Sequence, residues 1–391
     1  MSFRSAQVVV IGGGVIGTAV TYYLAKQGLD VALVEKGDID SGTSSACSGS
    51  VMMQTKGTGV KLKLALESRE IYQNLNEELG EDLEYQQEGG MIIAETEEEI
   101  EYISSLAKKQ RESGLSIELL DKKQIKERQP ALSDCVLAST FCPMDGKVNP
   151  MKVAFSFAES AKRRGARIYT FTQVKDIEVS KGRVSAIIVD HGKIRTNIVV
   201  NAGGIWAPEI GKMVGLKIPI RPRRGILIVT EVIPFIVNGS ILSAKYLMSK
   251  YATECKDKIK GGITEFTGGL ALRHAKSGNL IFGSSREFVG YNKRTTYEGI
   301  SFVVREALRV LPILRNVSII RAFAGLRPAT PDSLPILGEA LGLKGFIIAA
   351  GHEGDGIALA PITGKLVTDL IMKEEPAAQF DHLNLERLVR R

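Results

Sequence analysis

"VVVIGGGVIG", Val8 to Gly17, decides the fold of this chain. Gln7–Ile11 is a short apolar run rich in β-branched residues, the pattern of a buried parallel strand. Gly12, Gly14 and Gly17 then give G-x-G-x-x-G, with Val15 and Ile16 inside the turn. Thr18–Gln27 continues as a helix with apolar positions at Ala19, Tyr22, Tyr23 and Leu24, and Gly28 fits its C-terminal end. A second strand, "DVALVEK", carries Glu35 and Lys36 at its end. The three glycines differ in what they permit. Gly12 allows the tight turn, Gly14 lets a pyrophosphate approach the backbone, and Gly17 lets helix and strand pack closely. Phosphates are favoured at the helix N-terminus by free N–H groups and the dipole. Glu35 can accept from a ribose hydroxyl, and its charge would repel a 2′-phosphate. The strand before, the helix after and the acid at the right distance read together as an adenine-dinucleotide site, with NAD and FAD both open at this point.

A second strand–turn–helix stands near the end of the chain: "GFIIAAGHEGDGIALAP", Gly345 to Pro361. Two such turns in one chain are explained if they hold opposite ends of one long cofactor. Between them, "GTSSACSGSVMMQTKGTG" (42–59) is dominated by small residues, so backbone can lie against a ligand and hydroxyls can bond phosphate. "NAGGIW" (201–206) ends another strand in small residues and again brings backbone close to a cofactor. Helices are expected over Lys61–Leu79, from Glu97 to about Ser113, over Lys122–Gln129, from Pro150 to Arg164, from Thr296 to Leu311 and over Ile357–Met372. "ARIYTFTQVKDIEVS", "GRVSAIIVD" and "GKIRTNIVVNAGG" read as a β-meander, and the rest of 221–321 as strands with irregular connections.

The expected architecture is therefore α/β in class (α+β in its two-domain organisation): a discontinuous Rossmann-like dinucleotide domain (1–85, 142–222 and 320–391) with an inserted antiparallel-sheet substrate domain (86–141 and 223–319). Apolar residues make up 44% and charged residues 24% of the 391, ordinary for a globular protein. The net charge of +7 comes from 51 Lys+Arg against 44 Asp+Glu, scattered and without the aromatic-interleaved stripe that nucleic-acid binding requires. Cys47, Cys135, Cys142 and Cys255 form no C-x-x-C pair, so no zinc or iron–sulfur site is written and no metal is expected. A reduced, cytoplasmic protein is the simplest reading. The most apolar stretch, Ile226–Val237, is broken by Glu231 and Pro234 and reads as a buried strand, leaving membrane contact peripheral if there is any.

In this order, "VVVIGGGVIGTAVTYYLA", "DVALVEK", "CPMDGKVNP", "VVNAGGIWAPEI", "AGLRPATPDSLPILGE" and "GFIIAAGHEGDGIALAPITGKLVTDLI" make the chain resemble the D-amino acid oxidase-like flavoenzymes. The likeness is greatest to glycine oxidase and to the β subunits of sarcosine oxidase and of proline or hydroxyproline dehydrogenase complexes, and it covers nearly the whole chain. It implies FAD as cofactor and an amine bearing a carboxylate as substrate. It implies that Val174 touches adenine through its backbone, that Ser44 and Ser45 line the diphosphate, and that the 351–357 turn meets the flavin end. With Thr43, Gly49, Ser50, Ala202, Gly203 and Trp206 from the small-residue segments, this completes the expected cofactor shell. No cysteine stands in "AFAGLRPATP" and the first histidine is His191, so the flavin is expected to be non-covalent.

Gly351, Gly354 and Gly356 let backbone N–H groups reach the ring, and the helix beginning at Ile357 places partial positive charge beside it. Asp355 reads most simply as the helix N-cap. Arg327, in "GLRPAT", is the expected anchor for the substrate carboxylate, because a guanidinium binds a carboxylate with two parallel bonds. Arg286 and Tyr291 are candidates for a second substrate contact; His352 is a candidate donor to the flavin or a turn residue; His274 and Arg273 are weaker candidates. The expected reaction is hydride transfer from the C–H beside the amine of a secondary amino acid (proline, hydroxyproline, sarcosine) to flavin N5, giving an imine. The β-subunit likeness leaves room for electron-accepting partner subunits. A stand-alone glycine or D-amino acid oxidase releasing peroxide, and a structural subunit holding idle FAD, are the alternatives.

Overall fold

The computed structural model describes residues 5–251, 259–260, 263–264, 266–372 and 382–388. Cys255 lies outside the described residues.

The strand Val8–Ile11 is buried along its whole length, as are Val31–Val34 and Phe346–Ala350. They belong to a six-stranded sheet in the order Ile336–Glu339, Phe346–Ala350, Ile198–Asn201, Val8–Ile11, Val31–Val34, Arg167–Tyr169. All neighbours run parallel except the antiparallel edge strand Ile336–Glu339. Alternation sends Val8 and Val10 to one face, under the helices Val15–Lys26, Pro150–Arg163 and Gly356–Met372. Val9 and Ile11 face the other way, against the meander Val174–Ser180, Arg183–Val189, Gly192–Arg195. Coverage on both faces is what a continuous apolar parallel strand requires.

The second sheet has eight strands, in the order Ile319–Ala329, Arg221–Val232, Asn279–Arg286, Thr267–His274, Ser240–Ser243, Gly90–Ala94, Ala138–Cys142, Glu118–Leu120. It is antiparallel except where Ser240–Ser243 runs parallel to Gly90–Ala94. Ile226 and Ile228 pack beneath the helix Tyr297–Val310, while Leu227 between them turns to the opposite face and lines a cavity. The boundary expected at 319/320 falls at the head of Ile319–Ala329. That strand pairs along its length with Arg221–Val232, so by hydrogen bonding the return to the first domain comes after Ala329.

The expected helices are present at nearly the expected ends, for example Val60–Leu79, Glu97–Glu112 and Tyr297–Val310. Two further helices are present among the described residues: the short Ala207–Lys212, and Ala244–Tyr251, which stands where the sequence pattern gives strand and irregular connection. The latter follows a buried strand, and Ser243 Oγ accepts from Tyr246 N at 3.2 Å at its start. Among the described residues no helix is long and apolar enough to cross a membrane.

Candidate functional site

Three adjacent parallel strands end on the same side of the six-stranded sheet: Val8–Ile11 at Gly12, Ile198–Asn201 at Ala202 and Phe346–Ala350 at Gly351. Carboxyl ends of such strands are where open α/β sheets bind ligands. Here they open on a cavity of about 660 Å³ that reaches from Glu35 and Lys36 at one end to Arg327 and His352 at the other. The two distant glycine turns therefore face one space.

The first turn is built for close approach. Gly12 has φ +118°, and a Cβ there would lie 2.5 Å from Ala202 O. A Cβ on Gly17 would lie 1.8 Å from Gly12 O, so Gly17 serves the packing of helix on turn and does not line the cavity. Glu35 accepts from Gly13 N at 2.6 Å and from Gly37 N at 2.7 Å, which fixes its carboxylate beside the turn with lone pairs left for a hydroxyl donor. Ser44 Oγ accepts from Val15 N at 3.1 Å, and Thr43 Oγ1 donates to Leu326 O at 2.6 Å, which ties the small-residue loop to both ends of the site. Gly14, Val15, Ile16, Gly49, Ser50, Val174, Ala202, Gly203 and Trp206 line the same cavity. Ser45 does not; its hydroxyl turns back to Gly42 O.

At the late turn, Gly351, His352, Gly354, Asp355, Gly356 and Ile357 all line the cavity. The N-cap role expected for Asp355 holds only for its backbone, where Leu359 N donates to its carbonyl. Its carboxylate is held by three buried lysines: Lys56 at 2.8 Å, Lys61 at 2.6 Å and Lys250 at 2.9 Å. Burial alone would raise its pKa; the three ammonium groups, Lys250 foremost, hold it well below the usual carboxylate range. Burial pulls Lys56 and Lys250 below the ordinary lysine value, whereas in Lys61 the carboxylate outweighs burial. The three lysines converge on one carboxylate at the start of the helix Gly356–Met372, where the helix dipole adds positive potential. His352 Nε2 lies 3.1 Å from Thr363 Oγ1, and burial, with Lys61 nearby, lowers the imidazole to about 3, so it is neutral at working pH.

Arg327 lines the cavity from the strand Ile319–Ala329. Its guanidinium donates to Ser284 Oγ and, at 3.3 Å, to Ser285 O, and among the described residues no carboxylate pairs with it. Burial pulls it below the usual arginine pKa, opposed by the Tyr246 oxygen. Arg286 has the opposite fate: its side chain is fully buried off the cavity, Nη1 donates to Glu353 at 2.8 Å, and its guanidinium sits over the Tyr246 ring. Glu353, which also takes Arg223 and Gly354 N, is held well below its ordinary value by Arg286 and Arg223 against the effect of burial. Arg286 is thus placed as an ion-pair partner of Glu353. Tyr291 lines the cavity at its other end, stacked on Trp206 beside Lys36. His274 and Arg273 stand away from the cavity: His274 accepts from Ile236 N, and Arg273 donates to the carbonyls of Ser48, His274 and Val148.

Six further residues of the site carry no mark in the sequence reading: Tyr246, Lys56, Lys61, Lys250, Arg223 and Glu353. Tyr246 and Lys250 ride on the helix Ala244–Tyr251, for which Ser243 is the available start signal. Lys56 and Glu353 lie within the 42–59 segment and the 351–357 turn that the sequence marks, but no pattern singles out their side chains, while Lys61 and Arg223 come from a helix and a strand with no local signal.

These residues fit FAD. The space is long, backbone at Gly14 lies open to it with only Ser44 Oγ near a Cβ added there, the carboxylate of Glu35 stands at one end, and Arg327, without a carboxylate partner among the described residues, stands at the other.

Comparison with known proteins agrees. The family model described as FAD dependent oxidoreductase (DAO) matches residues 7–370. Glycine oxidase of Bacillus subtilis (strain 168) is 31% identical over 386 residues, covering 97% of this chain and 96% of that protein. The crystal structure of L-proline dehydrogenase from P. horikoshii superimposes with a TM-score of 0.89 at 29% identity, covering 100% of this chain and 99% of the other. Glycine oxidase from Geobacillus kaustophilus gives a TM-score of 0.86 at 29% identity over 97% and 98% of the two chains.

Proposed function

The chain belongs to the family of FAD-dependent oxidoreductases, and we propose that within this family of amino acid oxidoreductases it is a dehydrogenase of secondary amino acids such as proline, hydroxyproline or sarcosine. The observation that carries the reading is Arg327: a buried guanidinium on the cavity wall with no carboxylate partner among the described residues.

When bound, FAD supplies the hydride acceptor that turns the substrate's CH–NH unit into an imine. Gly12, Gly14, Ser44 and Glu35 would hold its adenosine and diphosphate portion, and the 351–357 turn its ring system. Cys47 donates to Ser44 O and burial pushes its thiol up to about 11, which supports a non-covalent flavin.

Arg327 takes the substrate carboxylate in two parallel bonds and so fixes which C–H is presented. Tyr246 lines the same cavity, its pKa drawn down by Arg286 and then Arg327 against burial, and in this reading its hydroxyl donates to a carboxylate oxygen. Met52, Leu242 and Ala271 form an apolar cluster on the cavity wall against which Tyr246 packs, a surface suited to the carbons of a small ring or N-methyl group. The amine enters as the neutral base. Neutral His352, held by Thr363, keeps the late turn in place without adding charge. The lysines around Asp355 and the N-terminus of the helix Gly356–Met372 favour the negative charge that accumulates at that end during oxidation. Electrons then pass to a partner subunit.

The test is anaerobic bleaching of the yellow protein by a panel of amino acids in both chiralities. Rapid bleaching by a secondary amino acid supports the reading; bleaching only by glycine or a primary D-amino acid overturns the substrate class, and stoichiometric peroxide in air overturns the partner-subunit route.

A further inference from the structure

We propose that Tyr291 and Trp206 form an interdomain latch that closes the Glu35 end of the cavity and slows release of the adenosine portion of FAD. The latch rests on the family's cofactor and goes beyond it to residues that set how long the cofactor stays.

Trp206 ends the short 3₁₀ turn Gly204–Trp206, directly after the strand Ile198–Asn201 of the six-stranded sheet. Tyr291 comes from the other body, in the 287–296 connection between the strand Asn279–Arg286 and the helix Tyr297–Val310. Their rings stack with centroids 4.3 Å apart and planes 13° apart. Tyr291 Oη also donates to Ile205 O at 3.3 Å. Lys36 Nζ lies 3.4 Å from the Trp206 centroid. An ammonium at that distance and a stacked ring cannot share one face of an indole without overlapping, so the three side chains form a sandwich with Trp206 in the middle.

Place and anchoring make this sandwich a closure. Lys36 directly follows Glu35, whose carboxylate is pinned at the first glycine turn, and Lys36, Trp206 and Tyr291 all line the cavity. Trp206 and Tyr291 remain 37% and 41% exposed, so they stand at the boundary between cavity and solvent. The base of the connection bearing Tyr291 is fixed: Arg224 Nη2 donates to Glu287 at 2.6 Å and Arg224 Nη1 to Arg294 O at 2.9 Å. An anchored loop with an aromatic tip docked on the opposite body holds until the stack breaks. Departure of a ligand from this end then requires breaking an aromatic stack and loosening a cation–π contact, interactions of the size that changes a rate about tenfold.

Trp206 is the only tryptophan in the chain, so its emission reports on the latch directly. The experiment uses the full-length FAD-loaded protein and its Tyr291→Ala and Tyr291→Phe variants, diluted into an excess of an FAD-binding apoprotein as scavenger, with Trp206 emission and flavin fluorescence followed in time. The expected result is FAD release about tenfold faster in Tyr291→Ala and close to wild type in Tyr291→Phe, which keeps the stack. Release within twofold of wild type in Tyr291→Ala overturns the latch, as does equally fast release in Tyr291→Phe. A wild-type protein that takes up no FAD overturns the cofactor assignment itself, a result distinct from either.

Discussion

Arg223 and Arg327 are directly opposed cross-strand partners, yet among the described residues only Arg223 is paired with a carboxylate, that of Glu353. Like charges directly opposite one another on a sheet are destabilising. The pair persists because Glu353 neutralises one member while the other reaches Ser284 and Ser285 at the cavity wall. The second sheet thereby holds a desolvated cation that no carboxylate among the described residues pairs with; in the proposed reading the substrate carboxylate completes the charge balance.

Replacing Arg327 by Leu removes that anchor. Loss of charge-assisted bonds to a carboxylate raises KM about a hundredfold, while the bound-flavin absorption spectrum is retained. Steady-state kinetics on the flavin-loaded variant check this; a KM within threefold of wild type contradicts the role.

Arg286 gives the contrasting result. It touches Glu353 and the Tyr246 ring, and its side chain is fully buried off the cavity. Arg286→Met leaves Glu353 with Arg223 alone, and a broken buried ion pair costs about 3 kcal/mol. Denaturant unfolding should show that loss, with KM moving far less than in Arg327→Leu. A large KM change with unaltered stability would return Arg286 to the substrate.

The contrast shows what can be read from the chain. The glycine turn, Glu35, the meander and most helix ends are legible because each is a local pattern: β-branched runs, glycines at fixed spacing, caps. The lysine cluster is not, because Lys56, Lys61 and Lys250 come from a loop and two helices and meet only at Asp355. Lysines are almost never buried unless paired, so nothing in their surroundings in sequence marks them as interior. The sequence singles out Arg327 in "GLRPAT", but nothing local shows that Arg286 is an ion-pair partner: both end or lie in strands, and only tertiary packing decides which one meets Glu353. The helix Ala244–Tyr251 escapes a sequence reading because eight residues following a buried strand, with apolar Leu247 and Ala244 inward, resemble strand continuation.

The first turn predicts a split between two neighbouring glycines. Gly12→Ala demands φ +118° of an alanine and drives its Cβ to 2.5 Å from Ala202 O. The backbone strain alone is on the order of 1–3 kcal/mol, so this variant should yield little folded protein. Gly14 has φ −77°, and a Cβ there meets only Ser44 Oγ at 3.3 Å, on the cavity side. Gly14→Ala should fold normally and purify with reduced flavin content. Circular dichroism and the ratio of flavin to protein absorbance separate the two outcomes, and full flavin occupancy in Gly14→Ala contradicts a cofactor at this turn.

His352 gives a pH dependence with a definite sign. Its pKa falls from 6.5 to about 3 in the fold because burial, and then Lys61, oppose the charged form. Below pH 6.5 the unfolded chain binds a proton that the folded chain refuses, so this residue's contribution to stability declines as pH falls from 6.5 toward 3. At pH 5 the decline is about 2 kcal/mol, from 1.5 pH units at 1.36 kcal/mol each. Asp145, raised to about 6 mainly by burial, and Asp40, raised to about 8 by burial, act with the opposite sign, since their folded forms hold a proton that the unfolded chain has lost. The informative quantity is therefore the difference between wild type and His352→Gln, which keeps a hydrogen-bonding group for Thr363 and removes the titration. The variant should gain about 2 kcal/mol relative to wild type between pH 7.5 and pH 5 in paired denaturant curves; parallel pH profiles for the two proteins would show that His352 is not held neutral.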